Sequence, residues 1–423
     1  MPETLPPEAD LPPPGDPSPY APFRLRDFRL YVIMVMMSSI AQQAQAVAIG
    51  WDIYDRTHSA LALGWTGLVQ FIPVLAFFLP AGQIADRHDR RLICGLSLVV
   101  WLIGAAVLAA SARLHTPVGW IYVSVAFTGL SNVLNRAARD ALLPQIAPPD
   151  ILARAVTWNA TIFQIASVAG PTLAGALIAL GGSAFTVYAM DVVCIFVATV
   201  VAFSIVARPP TGPKRATSWR EMFGGLEHVW KTKVVFAPMT IDLFAVLLGG
   251  ATALLPLYAK DILHVGAGGL GWLSAGPALG AVLMAVSIGH AKKEYHAGRS
   301  FLWAVGIFGL ATVVFGLSTN YWISLLALVV IGASDNYGAV IRQTSVQLHT
   351  PDELRGRVSA VNRVFISSSN ELGAVESGIA ASFIGAVPAV VAGGAITLLI
   401  AAFGLKIFPA LNRLESIRRY DKI

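Results

Sequence analysis

Five carboxylates lie inside runs of apolar residues where acids are rare: Asp191, Asp242, Asp335, Glu371 and Glu376. An ionised carboxylate at the centre of a bilayer costs about 2.5–3.5 kcal/mol on insertion scales. Such a group must find a cation or take up a proton. Uptake in one conformation and release in another would couple movement of a solute to a proton gradient. Asp242, Asp335, Glu371 and Glu376 are the candidates for that step, and a structural ion pair is the competing reading for each. Glu376 shares a stripe of seven-residue steps with Asn362 and Ser369, while Glu371 lies elsewhere on the same segment, so the two glutamates form no dyad.

Two further polar patterns accompany these acids. Ser38, Gln42, Gln45, Ile49 and Asp52 fall on one helical stripe, which is expected to line a central cavity because amides facing lipid are costly. Gln43 lies off that stripe and reads as an interhelical hydrogen-bonding residue. Asp52 and Asp55 approach the membrane surface and read as solvated. Asn132, Asn135, Arg136, Arg139 and Asp140 make a second polar face, near the end of another apolar run. Asn132, Asp335 and Ser369 join Ser38, Gln42 and Gln45 as candidate cavity residues. Asp335 and Arg342 share one face, seven residues and therefore roughly 10 Å apart. Arg139 and Arg342 read as gating residues.

The elements that hold these groups are apolar runs of about 20 residues, enough to cross about 30 Å of hydrocarbon. Twelve occur, near 28–52, 62–84, 92–112, 117–138, 152–179, 183–206, 235–259, 268–290, 300–318, 321–343, 357–383 and 387–408. The 423 residues are 56% hydrophobic and only 13% charged, against about 25% charged in soluble domains. That excludes a soluble globule, a disordered chain and a disulfide scaffold; Cys94 and Cys194, both in apolar runs, read as small fillers.

Of the 30 Lys and Arg residues, only Arg56, Arg113 and Lys260 fall on one set of alternating connections, and the other 27 fall on the opposite set with both termini. Basic residues stay in the cytoplasm, so both termini are expected there, in a multi-pass protein of a bacterial inner membrane. The net charge of +6 therefore reports topology, and no nucleic-acid partner is expected. The eight histidines show no metal-ligand spacing, and no phosphate-binding Gly-Lys-Ser/Thr loop is present. Neither a metal nor a cofactor is expected; the proton gradient would supply the energy.

The organisation is bipartite. Residues 1–22, with nine prolines and no basic residue, read as a disordered cytoplasmic tail. A six-helix bundle is expected over 23–206 and a second over 235–410. Between them a linker, 207–234, carries an amphipathic stretch from Trp219 to Trp230 suited to the membrane surface. Residues 411–423 form a second cytoplasmic tail. The bundles repeat each other: Leu63-Gly64-Trp65 returns 207 residues later as Leu270-Gly271-Trp272, and Gly82 maps to Gly289. A shift of 203 maps Gly129, Arg139, Arg154, Asn159, Gly170 and Gly175 onto Gly332, Arg342, Arg357, Asn362, Gly373 and Gly378. Two such repeats suggest a transporter whose halves rock about a site between them. Gly249-Gly250 and Gly393-Gly394 read as helix-packing glycines.

Between the second and third spans stands Gly82-Gln-Ile-Ala-Asp86-Arg87-His-Asp89-Arg90-Arg91. It resembles the G-x-x-x-D-R-x-x-R-R signature of the major facilitator superfamily. Arg26-Asp27-Phe28-Arg29-Leu30, Ala138-Arg139-Asp140, Ala169-Gly170-Pro171 with Gly175, and Leu255-Pro256 through Asp261 narrow the resemblance to an exporter branch that includes enterobactin exporters and macrolide and drug efflux proteins. It implies an all-α fold of twelve transmembrane helices in two pseudo-symmetric six-helix bundles. Gly82, Asp86, Arg87, Arg90, Asp140, Arg139 and Arg342 would then form a conformational latch. In it Gly82 allows close packing, Asp86 faces the N-terminus of the eleventh span and Arg90 pairs with Asp140. Gly170, Pro171 and Gly175 would form a helix-packing element. Lys293 stands at the repeat position of Asp86, so one latch of this kind is expected. The resemblance points to a monomeric proton antiporter, not an enzyme, that exports an amphiphilic solute such as a siderophore or macrolide by alternating access. A lysolipid flippase or importer of the same fold, and a non-transporting sensor or assembly factor, are the alternatives.

Overall fold

The computed structural model describes residues 18–206, 219–290 and 296–413; the side chains of 78, 79, 83, 85–87, 219–223 and 413 lie outside the described set. Most of both tails, the linker segment 207–218, Lys292 and Lys293 fall outside it as well. Every regular element is helical among the described residues. A 3₁₀ turn at Ala21–Arg24 leads into α1 (Arg26–Thr57), α2 (Ala60–Arg87), α3 (Arg90–Leu114), α4 (Gly119–Ile146), α5 (Pro149–Gly181) and α6 (Phe185–Ser204). After the short α7 (Trp219–Lys231) comes α8 (Lys233–Leu248), which continues irregularly through the single turn α9 (Leu255–Leu257) to Ile262. Then follow α10 (Gly266–His290), α11 (Ala297–Leu317), α12 (Tyr321–Leu348), α13 (Asp352–Ile384) and α14 (Ala386–Ile407).

Counting α8 with its continuation, twelve elements have spanning length, as the apolar runs predict. Ten of them are also apolar enough to cross a membrane by composition alone. The other two, α4 and α13, carry the polar faces and basic ends noted above. Helix ends follow local chemistry. The Asp89 side chain caps α3 by accepting from the Arg91 N–H, and Asn320 caps α12 by accepting from Trp322 and Ile323. Gly182, at φ 66°, ends α5 in the left-handed region.

Two compact units result. The first holds the described residues up to 49 and from 72 to 206; the second holds 50–71 and everything from 219 onward. The sequence division at the linker thus differs in one place, because the end of α1 and the start of α2 pack with the second unit. In unit 1, α3 packs against both α4 and α6, around a core that includes Phe28, Tyr31, Trp101 and Ile195. Gly170 brings α5 onto α1, where a Cβ would lie 2.6 Å from that of Gln43 and 2.9 Å from the Ile40 carbonyl. The Gly170–Pro171–Gly175 element therefore has a packing role, and all three residues are buried.

In unit 2, α10 packs on α12 and α11 on α14. Gly332 lies against the Pro277 backbone, and Gly309 and Gly394 face each other. Small residues let helix backbones meet where lipid supplies no hydrophobic drive. The amphipathic α7 does not lie free at a membrane surface: it packs on α13 and α8, burying Val229 with Val235, Val346 and Val358. Gly225 sits against Arg357 of α13, while Trp230 stays 62% exposed.

Candidate functional site

Inside unit 2 the backbone of α8 fails at Gly249-Gly250 and resumes as a 3₁₀ turn (Ala251–Leu254), the α9 turn and a π turn (Tyr258–Ile262). Bilayers tolerate irregular backbone only where protein satisfies the freed groups or a cavity is lined. Both conditions hold. The Gly250 carbonyl accepts from Ser377 Oγ at 3.1 Å, and the Ala251 N–H reaches the Gly249 carbonyl at 2.7 Å. A cavity of about 220 Å³ opens at the break. The two glycines do pack closely, as the sequence suggests, with Gly249 against Phe308 and Gly250 against Gly373. They also end the helix, which the packing reading alone does not foresee.

Three charged side chains line this cavity: Asp242 from α8, and Asp335 and Arg342 from α12. Arg342 forms an ion pair with Asp242, with both side chains nearly buried. Arg342 therefore serves a carboxylate of its own unit, a correction to its expected place in a latch. Asp335 is exposed although it sits midway along α12, because it faces the cavity. It makes neither a hydrogen bond nor an ion pair with the described residues. Ser369 and Asn370 of α13, each bonding the Ile366 carbonyl, join Thr252 in the polar lining, while Val246, Phe308, Ile331 and Ile366 supply apolar wall.

Of the four coupling candidates, Asp242 and Asp335 are brought together and Glu371 and Glu376 are not part of the lining. Glu376 lies 3.5 Å from Ser377 Oγ, but that hydroxyl has one proton and gives it to Gly250 at the shorter distance. Asp191, in α6, is fully buried, and neither carboxylate oxygen has a hydrogen-bond partner.

The expected cavity stripe on α1 behaves differently. Ser38 is buried and donates to the Met34 carbonyl of its own helix at 2.7 Å, so its hydroxyl is engaged. Gln45 is buried with Nε2 unpartnered, and Gln42 is half-buried. On α4, Asn135 turns inward to Ser97 Oγ at 3.1 Å and is a packing residue. Asn132 Nδ2 and Arg139 Nε are buried without a partner among the described residues.

The signature loop is partly described. The side chains of Asp86 and Arg87 lie outside the described set. Arg90 reaches the end of α4, where it donates to the Ala141 carbonyl at 2.9 Å, next to Asp140. A Cβ at Gly82 would meet nothing within 4 Å among the described residues. Asp27, in the first turn of α1, accepts from the Val206 N–H at 3.1 Å.

Sequence reasoning missed a polar cluster where 50–71 meets the rest of unit 2. Lys260 pairs with Asp55, Tyr54 donates to Asp261, and the Lys260 ammonium lies over the Trp51 ring at 5.8 Å. Asp52 holds Arg56 at 2.7 Å. Neither aspartate is simply solvated: a helical partner or a cross-helix lysine claims each. Nearby, Gly64 of α2 touches Gly378 of α13, and a Cβ at Gly67 would lie 2.5 Å from the Glu371 carbonyl. The signal was present, since Arg56 and Lys260 are two of the three basic residues on the sparsely charged side.

With this geometry in view, the chain matches the family model described as Major Facilitator Superfamily over residues 31–374 and 249–417. It is 26% identical over 342 residues to "Enterobactin exporter EntS" of Citrobacter koseri, covering 79% of this chain and 80% of the relative. An Escherichia coli O1:K1 / APEC protein of the same name is 25% identical over the same shares. Among solved structures, a peptide transporter, POT, superposes with TM-score 0.75 at 11% identity, covering 96% of this chain and 98% of that one. A bacterial homolog of the human lysosomal transporter Spinster gives 0.69 at 14% identity, covering 92% and 98%. At those identities the superpositions speak for the fold alone.

Proposed function

The chain belongs to the Major Facilitator Superfamily, a multi-pass membrane transporter and not an enzyme, and on that footing we propose that it exports an amphiphilic organic solute by proton antiport. Alternating access between two facing states is the working cycle. The orientation that fits the basic loops places both termini in the cytoplasm, in a bacterial inner membrane, with a monomer as the working unit. The likeness to enterobactin exporters supports export, with a siderophore, a macrolide or a drug-like molecule as cargo.

One observation carries the coupling step: a broken helix opens a cavity in which Asp335 stands unpaired beside an Asp242–Arg342 pair. Discontinuous helices at mid-membrane are where transporters bind solutes and ions. Arg342 holds Asp242 in an ion pair, so Asp242 shapes the site and Asp335 exchanges the proton. A solute leaving and a proton entering then alternate at one carboxylate. Rigid-body movement of the bundles exposes it to one side at a time.

The test is efflux from proteoliposomes under an imposed proton gradient, over a panel of siderophores, macrolides, dyes and lysolipids. Efflux of at least one solute should collapse with an uncoupler, and Asp335→Asn should lower the gradient-driven rate at least tenfold in protein that still folds. Flux indifferent to both the uncoupler and the substitution would remove proton antiport and favour a uniporter or a lipid flippase.

A further inference from the structure

We propose that the cavity of unit 2 takes the cationic head group of its ligand, a protonated or quaternary amine on an apolar body, with Asp335 as counter-ion. The inference deepens the transport reading by naming the ligand class, and it rests on that reading only in treating the bound cation as cargo.

Charge within the lining is the first ground. Arg342 is the only cation there, and its guanidinium is held by Asp242. Its Nε is buried without a partner and is not open to a ligand. The pair is close to neutral as a unit, so Asp335 leaves the cavity with one uncompensated negative charge. An anionic head group would meet that carboxylate beside a guanidinium that Asp242 already holds.

The backbone gives an independent second ground. Because α8 ends at Leu248, its C-terminal turn opens on the cavity, with Val246, Gly249 and Gly250 in the lining. The carbonyl end of a helix carries about half a negative elementary charge and favours cations. Broken helices present such ends to cations within membranes. The ring of Phe308 also lines the wall, and an aromatic face attracts a cation electrostatically. Carboxylate, α8 terminus and ring agree in sign; the 3₁₀ turn restarting at Ala251 opens its own N-terminus on the same cavity, so the preference rests chiefly on Asp335.

Size decides how much of the ligand enters. About 220 Å³ is less than the roughly 300–1,000 Å³ of pockets that enclose drug-sized ligands. The head group enters and the apolar body stays outside. Around Asp335 the ionisable groups of the lining are Asp242 from α8 and Arg342 from its own helix. From α10, α11 and α13 come Pro277, Phe308, Ser369 and Asn370, none of them ionisable. A cation and a proton accordingly compete for the Asp335 carboxylate, and binding weakens as pH falls.

Titration calorimetry on the purified full chain in nanodiscs tests this, using 4-phenylbutyltrimethylammonium and its uncharged carbon isostere. The cation should bind at least tenfold tighter than the isostere, and acidification should erase that preference in the unaltered protein. Asp335→Asn should abolish the preference and Asp335→Glu should keep it, with thermal unfolding showing that both variants fold. Equal binding of the two probes, or a preference that survives Asp335→Asn, would overturn the assignment. The pH series needs no variant, so a misfolded mutant leaves the question decidable. Cation binding without gradient-driven flux would refute antiport and leave this site standing; gradient-driven flux with no cation preference would do the reverse.

Discussion

The two repeats start from nearly the same backbone and diverge where charge is concerned. Helices α1 and α8 begin 207 residues apart, at Arg26 and Lys233. At the same shift, Asp242 corresponds to Val35, which is fully buried among apolar neighbours. Gly249-Gly250 corresponds to Gln42-Gln43, where α1 runs on as one unbroken 32-residue helix. On the partner helices, Asp335 and Arg342 of α12 correspond to Asn132 and Arg139 of α4. The second unit has thus gained two acids and a helix break at positions where the first keeps a valine, an asparagine and two glutamines. A duplicated scaffold needs two similar bundles for rocking, but it needs one ionisable centre, and here that centre sits in unit 2.

The widest separation between the halves should appear on removing their matched arginines. Arg342→Met leaves Asp242 charged, nearly buried and unpaired, and breaking a buried pair by removing one partner costs about 3–5 kcal/mol. We expect a large drop in the unfolding midpoint in detergent and loss of transport. Asp242→Asn added to Arg342→Met should restore much of the stability but not the transport. Arg139→Met in unit 1 removes no ion pair among the described residues and should cost much less stability. Equal losses from the two single substitutions would erase the contrast between the repeats.

A smaller effect is expected at the helix break. The Cβ of Gly249→Ala would lie 2.8 Å from the Phe308 ring and 2.6 Å from the Ala245 carbonyl. Overpacking of this kind costs typically about 1–3 kcal/mol, and the shifted ring narrows the cavity. Gln42→Ala at the matching place on α1 should be tolerated in stability, since that helix is continuous. Thermal unfolding of both variants, alongside transport at matched expression, measures the difference. A Gly249→Ala protein as stable and active as the parent would show that the break does not need its glycine.

How far the sequence discloses this molecule follows the range of each interaction. Spanning helices are local events set by hydropathy and length, so all twelve could be read, together with α7 from its amphipathic stretch. The repeat was readable because Leu-Gly-Trp and the ordered glycines keep their spacing, and those at Gly170, Gly332 and Gly378 do pack helices. Pairings between distant segments were not readable. Arg342 and Asp242 are 100 residues apart, and nothing in either segment chooses that partner over a gating role. Ser38 fits a cavity stripe by period and Asn135 a polar face, yet a backbone carbonyl and Ser97 take up their polar groups. Period fixes a face but not what the face meets. Lys260 and Asp55 were hidden for the same reason, although a lysine on the sparsely charged side calls for a counter-charge.

The smallest effect should come from the acid that unit 1 buries fully, Asp191. Asp191 is fully buried in α6, and neither of its oxygens has a hydrogen-bond partner, so replacing it with an amide of the same shape breaks no contact. Asp191→Asn should change stability little, since one unpartnered buried polar group replaces another of the same shape. Asp242→Asn, of identical chemistry, strands the Arg342 guanidinium and should cost several times more. Unfolding midpoints of the two variants, measured side by side, decide between a buried acid that holds a partner and one that does not. Should Asp191→Asn prove the more damaging, the first repeat carries an ionisable centre of its own, and the division of labour between the halves would have to be redrawn.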